Sequence, residues 1–249
     1  MSADKATAFR GSGDREVTGK YNIRLTPDAS TEPIASLPSK APSPPIVRYA
    51  FRSFDRQYLF ADGRMISRPR PDLWEAHGNK QIYVTTLFNH PLGNGPAMTA
   101  CYNIPDRHHF RGSYGGKDII PLYRDSKSNE PNISTDLLQG LNEQLGTEVL
   151  AEDLLSYAYG ILAHPDFTCR FADDLTTREI RVPITKNRKL FQSARDVGKR
   201  LLWLHTYGER LIPSGKKRGV IPIGAAKCTK SVPESNDRYP EKYSYDAEA

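Results

Sequence analysis

The spacing of hydrophobic positions along the chain changes near Asn132. Over residues 46–125, apolar and polar residues alternate in short runs that Gly, Pro and Asn interrupt, which predicts strands and loops. After Asn132 the apolar residues return every three to four positions, which predicts amphipathic helices. Strands followed by helices indicate an α+β fold, in which a strand-rich N-terminal half packs on a C-terminal helical half of about three helices.

The helical half covers residues 134–207. Its three helices are predicted at Ser134–Leu145, Ala151–His164 and Lys189–His205. The first follows a Ser/Thr cap and ends before a glycine, and Pro165 ends the second. The third has its apolar residues in a 4-3-4-3 spacing, so we predict that this face lies in the core. The residues of this face are Leu190, Ala194, Val197, Leu201 and Leu204.

The remaining elements are shorter, and turn-forming residues set their boundaries. Further strands are predicted at Gln81–Phe88, Met98–Ile104, Asp118–Tyr123 and Gly219–Ile223, with a short helix at Asp72–His77.

Both ends of the chain differ in composition from its centre. Residues 1–45 are predicted to be a disordered arm that ends in a Pro-rich linker, with Tyr21–Leu25 as a candidate strand. The folded unit is expected at 46–212. Residues 213–249 are predicted to form an irregular tail.

The stretch Arg48–Pro71 interleaves six arginines with aromatic residues. Within it, Asp62–Gly63 lies between two apolar runs and predicts a tight hairpin turn. One interpretation is a ribbon that reads nucleic acid, because an arginine fork fits phosphates and guanine edges. The other is an ordinary core strand pair with a solvated arginine face.

The overall charge fits a polyanionic partner. The chain of 249 residues carries a net charge of +6 and has a pI near 9.1, which is moderately basic. No apolar stretch is long enough to cross a membrane, and no secretory signal precedes the folded unit. Three scattered cysteines argue against a disulfide framework and favour a reducing cytoplasm.

The loop that contains Asp106, Arg107, His108 and His109 is the most plausible place for chemistry. A small metal-dependent nuclease would use His108 and His109 as base and ligand. Adjacent residues point in opposite directions, however, and no cysteine pair with ligand spacing lies nearby. A loop whose His and Arg side chains reach phosphates or base edges is the better interpretation.

Other catalytic motifs are missing. Asn103–Asp106 lacks the tandem proline and aromatic residue of a base-flipping methyltransferase tetrapeptide. Gly112–Lys117 lacks the spacing of a phosphate-binding loop, and no Gly-x-Ser-x-Gly elbow occurs. The residues by themselves therefore indicate no catalytic constellation.

Several motifs occur in the order known from one protein family. They are Phe51–Arg56, Arg68–Arg70, Pro121–Tyr123, Asp153–Pro165, Arg181–Thr185 and Gly198–His205. With them, the chain resembles the C-terminal specificity (target-recognition) domain of type ISP restriction–modification enzymes. Ser53 replaces the proline that is usual in the first motif. The family's domain continues past Tyr243–Asp246, so the resemblance implies that residues 213–249 are a truncated remainder of the same domain.

The resemblance implies sequence-specific recognition of double-stranded DNA. The nuclease, helicase-like ATPase and adenine methyltransferase parts of the family are absent from this chain. No cofactor is therefore expected here, and S-adenosylmethionine, ATP and Mg²⁺ belong to the missing parts. The expected partners are double-stranded DNA and a methyltransferase/helicase–nuclease polypeptide. The alternatives are the small nuclease described above and a remnant that docks on such a polypeptide without binding DNA.

The resemblance also divides the arginine-rich stretch. Phe51–Phe60 becomes scaffold, in which Asp55 is expected to pair with Arg52 or Arg56 beside Phe54. Two loops are expected to enter a DNA groove. Their predicted DNA-binding residues are Arg64, Arg68 and Arg70 in the first loop, and Arg107, His108, His109, Arg111, Tyr114 and Lys117 in the second.

Overall fold

The computed structural model describes residues 42–66, 69–86, 96–110, 118–176 and 180–224, with the isolated positions Leu25, Ala29, Glu32, Pro38, Lys40 and Lys227. Within these residues, the strands are β1 (Ile46–Ala50), β2 (Arg56–Phe60), β3 (Tyr83–Thr86), β4 (Met98–Cys101) and β5 (Asp118–Pro121). The helices are α1 (Pro71–Glu75), α2 (Thr135–Leu145), α3 (Ala151–Leu162), α4 (Pro165–Arg170) and α5 (Arg188–His205). This order confirms the predicted α+β class with its strand-rich and helical halves.

The first two strands form an antiparallel hairpin whose turn differs from the prediction. Strand β1 pairs with β2 so that Ala50 lies opposite Arg56, and residues 51–55 make the turn. Phe54 adopts a φ of 63° there. The predicted turn at Asp62–Gly63 is wrong, because this dipeptide comes after β2. Its aspartate instead closes a local turn by accepting the Met65 N–H through its carbonyl at 3.0 Å.

The other three strands form an antiparallel sheet in the order β4-β3-β5. The central strand is buried along its whole length, which explains its run of apolar and β-branched residues. Two polar side chains in or before it find partners inside the protein. Thr86 Oγ1 donates to the Ala97 carbonyl at 2.7 Å, and Gln81 Nε2 donates to the Tyr123 carbonyl at 2.8 Å. The three predicted strands of this sheet are thus confirmed in position, and those predicted at Met98–Ile104 and Asp118–Tyr123 are shorter than expected.

The longest helices, α3 and α5, cross at a point where both have glycine. A Cβ atom on Gly198 would lie 1.7 Å from the Ser156 carbonyl oxygen, and one on Gly160 would lie 2.7 Å from the Ala194 carbonyl oxygen. The absence of side chains therefore lets the two backbones approach closely. Tyr159 of α3 extends from this crossing to the sheet, where its hydroxyl accepts the Ala100 N–H of β4 at 3.1 Å.

The face that α5 buries is rotated from the predicted one. Phe191 and Leu202 are 1% and 0% exposed, whereas Leu190 and Val197 are each 58% exposed. Ala194 and Leu201 of the predicted stripe do contact the core clusters. The 4-3-4-3 pattern therefore predicts more buried residues on α5 than the structure shows. The pattern identifies apolar positions, but it does not specify which side of the helix faces α3.

Three further segments complete the comparison of sequence and structure. After Pro165 the chain forms α4, for which no prediction was made, and the His164 ring accepts the Asp166 N–H at 3.2 Å as its cap. Residues 219–223 are mostly exposed and make no strand, so that prediction is wrong. In the N-terminal arm Leu25 is only 2% exposed, so this position is buried. None of the helices that the structure describes is long and apolar enough to cross a membrane.

Candidate nucleic-acid interface

Asp106 is the centre of a polar cluster beside the hairpin. The loop after β4 is held against β1, because Ala50 donates its N–H to the Ile104 carbonyl at 3.1 Å and accepts the Asp106 N–H at 2.8 Å. The position of this loop is therefore set by backbone hydrogen bonds between segments that are far apart in sequence. A site on such a frame keeps its geometry better than one on a free loop.

The Asp106 carboxylate accepts three hydrogen bonds. Arg52 Nη1 donates to Oδ1 at 3.0 Å and also forms an ion pair with it. Tyr49 Oη donates to Oδ2 at 3.3 Å. The backbone N–H of His108 donates to Oδ1 at 2.8 Å, which is the two-residue bond of an Asx turn. Asp106 thus fixes the direction in which Arg107 and His108 leave the loop.

Arg70 and Asp118 complete the cluster from two other segments. Burial lowers the pKa of Arg70 first, the positive charge of Arg107 lowers it further, and Asp118 and Asp106 act in the opposite direction. Burial also raises the pKa of Tyr49, which keeps its hydroxyl protonated as a donor. We call this set the reader cluster; it comprises Tyr49, Arg52, Arg70, Asp106, Arg107, His108 and Asp118.

Three buried atoms of the reader cluster have no hydrogen-bond partner among the described residues. They are Arg107 Nε, His108 Nδ1 and Asp118 Oδ2. A buried polar atom without a partner costs about 1–3 kcal/mol, so such atoms are rare in folded proteins. The three atoms are a donor, an acceptor and an imidazole nitrogen, and the charges of Arg107 and Asp118 both act on Arg70. The arrangement is typical of a site that completes its hydrogen bonds with a polar ligand.

Arg64 does not belong to this surface, contrary to the prediction. Its side chain is 6% exposed and forms an ion pair with Asp62 at 2.5 Å. Arg64 Nη1 also donates to the Glu32 carbonyl at 2.5 Å. The Asp62 contact raises the pKa of Arg64. Arg64 therefore closes the turn after β2 and contacts Glu32 of the N-terminal arm, so its guanidinium is not exposed on this surface.

His109 is likewise buried, in the core of the protein. It is 1% exposed, and its Nδ1 lies 2.8 Å from Thr85 Oγ1 in the central strand. Burial lowers its pKa to about 4, so the ring is neutral near pH 7. The Ser53 N–H and hydroxyl both donate to the His109 carbonyl at 2.9 Å. A nuclease that uses His109 as a ligand or base is therefore wrong for this geometry.

The structure brings together only part of the predicted set. Arg70, Arg107 and His108 lie in the reader cluster, and four predicted residues lie outside the described residues. These four are Arg68, Arg111, Tyr114 and Lys117. Among the parts of the chain that the structure describes, no group of three His, Cys, Asp or Glu side chains could hold a metal ion.

The scaffold prediction for the hairpin needs one correction. Asp55 does not pair with an arginine; both of its carboxylate oxygens accept from Gln57 Nε2, at 2.9 and 3.1 Å. Arg52 is engaged by Asp106 instead, and Arg56 lies over the ring of Tyr207. Phe54 makes an edge contact with His205, with ring centroids 4.7 Å apart, and so joins the hairpin to α5.

Sequence reasoning missed Tyr49 and Asp118 as members of the cluster, and treated Asp106 only as part of a possible metal site. The Asx-turn spacing of Asp106 and His108 is a local signal that could have identified this aspartate. No local signal marks Asp118, because its neighbours Arg70 and Arg107 come from other segments. Such long-range meetings become visible only in the folded chain.

A family model and solved structures of other proteins match this chain. The family model of the type ISP C-terminal specificity domain matches residues 5–249. A structure described as a cryo-EM DrdV–DNA complex matches with a TM-score of 0.52 and 20% identity, over 68% of this chain and 16% of that one. A second, the ATP-dependent type ISP restriction–modification enzyme LlaBIII bound to DNA, matches with a TM-score of 0.52 and 18% identity, over 72% of this chain and 12% of that one. No curated protein matches the chain.

Proposed function

Because this chain belongs to the family of type ISP C-terminal specificity domains, we propose that it recognises a sequence in double-stranded DNA through the reader cluster. The observation that supports this most directly is that Arg107, His108 and Asp118 each have a buried polar atom without a hydrogen-bond partner among the described residues. Sequence is read by donors and acceptors that face base edges, and phosphate contacts alone carry no sequence information.

The chemistry of the cluster suits base edges in the major groove. An arginine donates to the O6 and N7 acceptors of guanine, and a carboxylate accepts from the amino group of cytosine. Arg107 and Asp118 offer these two functions from opposite ends of one segment. Asp106 holds the loop through Arg52 and Tyr49, so the readers are positioned before DNA arrives.

Arg107→Ala is expected to weaken binding to the recognised site by about 1–3 kcal/mol, or about 5- to 150-fold, because one base contact is lost. Binding to a duplex of random sequence should change far less. Fluorescence anisotropy at one fixed salt concentration measures both affinities, after selection from a random duplex library has identified the site. Arg124→Ala is the matched control, since Arg124 is an exposed arginine that pairs with Glu130 away from the cluster. Equal losses on both duplexes would show that Arg107 does not read bases.

The chain is proposed to act with catalytic parts that it does not contain. It spans 16% and 12% of the length of the two solved relatives. We infer that a methyltransferase/helicase–nuclease polypeptide supplies the chemistry, in defence against foreign DNA. Cys101 and Cys169 are free thiols, which fits work in the reducing cytoplasm. Co-purification of the tagged chain with a methyltransferase subunit from its own cells would test this association.

The docking remnant makes a different prediction. A chain that has lost DNA binding shows no salt-sensitive affinity for any duplex, whereas a specificity domain binds even random DNA more weakly as salt increases. A titration of the full chain at two salt concentrations therefore separates these two functions.

A further inference from the structure

A second basic surface covers the opposite face of the β1–β2 hairpin. Neighbouring residues of a strand point to opposite faces, so Arg48 faces away from Tyr49, whose hydroxyl contacts Asp106. In the hairpin register Arg48 lies opposite Tyr58, and Arg56 lies two residues before Tyr58 on the same face. This surface is therefore separate from the reader cluster.

Each of three arginines on this surface lies over an aromatic ring. The guanidinium carbon of Arg48 is 3.9 Å from the centroid of Tyr58, and that of Arg56 is 3.6 Å from the centroid of Tyr207. At the end of α5, Arg200 lies 4.5 Å from the centroid of Trp203. Stacking satisfies the face of a guanidinium and leaves the donors on its edge for another partner.

Hydrogen bonds join the hairpin part of this surface to the α5 part. The Tyr207 hydroxyl donates to the Phe54 carbonyl at the hairpin turn. Arg218 Nε donates to the Tyr207 carbonyl at 3.0 Å, and Trp203 Nε1 donates to the Arg218 carbonyl at 3.2 Å. We call this connected surface the arginine ladder; it comprises Arg48, Arg56, Arg200 and Arg218.

The arginine ladder is an unbalanced positive surface. Among the residues that the structure describes, only Arg218 of the four arginines forms an ion pair, with Glu209 at 2.8 Å. Lys216 and Lys217 lie next to Arg218 and are exposed. The basic residues in the middle of α5 differ, because Arg195 and Lys199 both contact the buried carboxylate of Asp153. Arg195 and Lys199 are thus paired with a carboxylate, whereas Arg48, Arg56 and Arg200 form no ion pair among the described residues.

We propose that the arginine ladder binds backbone phosphates of double-stranded DNA outside the base pairs that the reader cluster contacts. This inference rests on the proposed function. Stacked guanidinium groups donate charge-assisted hydrogen bonds to phosphates, and aromatic residues interleaved with arginine are common on nucleic-acid surfaces. The ladder would supply affinity that does not depend on sequence, while the reader cluster supplies specificity.

The test is the salt dependence of binding to a labelled duplex of random sequence, about 30 base pairs long. For the triple variant Arg48→Ala/Arg56→Ala/Arg200→Ala, the slope of log K against log salt concentration should fall by about 3, or about 1 per arginine. The affinity ratio between the recognised site and random DNA should stay the same. Arg124→Ala, which removes an exposed arginine elsewhere, should leave the slope unchanged.

Circular dichroism and the single variant Arg48→Ala make the result decisive. If the triple variant does not fold by circular dichroism, Arg48→Ala alone decides, because Arg48 is exposed on the first strand and should lower the slope by about 1. A wild-type slope in these variants would overturn the ladder proposal, even if the protein still prefers its site. Failure of the proposed function looks different, because then the wild-type chain prefers no site whatever the ladder variants do.

Discussion

Gly198→Ala is expected to destabilise the protein by about 3 kcal/mol or more, although alanine favours a helix by about 1 kcal/mol over glycine. The new Cβ atom would lie 1.7 Å from the Ser156 carbonyl oxygen of α3. That oxygen belongs to the backbone, so no side-chain rotation relieves the overlap. Helix α5 must move away from α3, and Leu202 and Phe191 then lose their contacts with the core.

Urea unfolding followed by circular dichroism measures this loss as a change in the free energy of unfolding. Gly140→Ala is the matched control, because Gly140 lies within α2 and a Cβ there meets nothing within 4 Å. The control should be about 1 kcal/mol more stable than the wild-type chain. Similar changes in the two variants would show that close helix packing at Gly198 contributes nothing.

Acidification from pH 6.5 to 4 is expected to remove about 3 kcal/mol of stability through His109 alone. The folded-state pKa of His109 is lowered from 6.5 to about 4, chiefly by burial, with the nearby Arg52 charge acting in the same direction and Asp106 opposing it. In that pH range the His109 ring takes up a proton in the unfolded chain but stays neutral in the folded chain. The stabilisation is therefore complete above the unfolded pKa and is lost as the pH falls towards the folded one.

His109→Asn isolates this contribution, because asparagine does not titrate. The variant should be less stable at pH 7, since packing and the Thr85 contact are impaired, but its stability should depend less on pH between 6.5 and 4. Burial also lowers the pKa values of His77 and His205, so the difference between the two curves is the quantity that matters. Parallel curves would contradict the burial of a neutral His109.

The reader loop depends on the same residue. Ser53 in the hairpin turn donates two hydrogen bonds to the His109 carbonyl, and the loop before it carries Arg107 and His108. Protonation of His109 would weaken the packing that supports the reader cluster. DNA affinity should therefore fall together with stability at acidic pH. We therefore propose that His109 affects recognition by positioning its neighbours.

Local pattern alone predicted the helices well. The bounds of α2, α3 and α5 fall within two residues of the predicted ones, because caps, glycine and proline act on the residues beside them. Gly146 illustrates this, since it ends α2 in the left-handed conformation with a φ of 60°. The family, too, was correctly identified from motifs that occur in order along the chain.

Tertiary structure decided which charged residues are available. Arg64 and Arg70 have the same chemistry and lie six residues apart, yet one is closed off by Asp62 and the other joins the reader cluster. The Asp62–Gly63 signal was read as a hairpin turn because sequence shows the turn-forming dipeptide and not the strand that pairs with β2. A local signal specifies a bend, whereas the partner of a strand is chosen by packing over the whole chain.

Packing over the whole chain also decided the buried face of α5 and the partners of the arginines. Helix α5 is the first example. Its amphipathic pattern established a helix, but the lack of a side chain at Gly198 decided which face meets α3, and so left Leu190 and Val197 exposed. Composition likewise showed a basic, arginine-rich and aromatic chain. In the folded chain, some of these arginines form buried ion pairs, some lie in the proposed reader cluster and others lie in the proposed arginine ladder. Charge is a property of the residue, whereas its exposure and its partners depend on the fold.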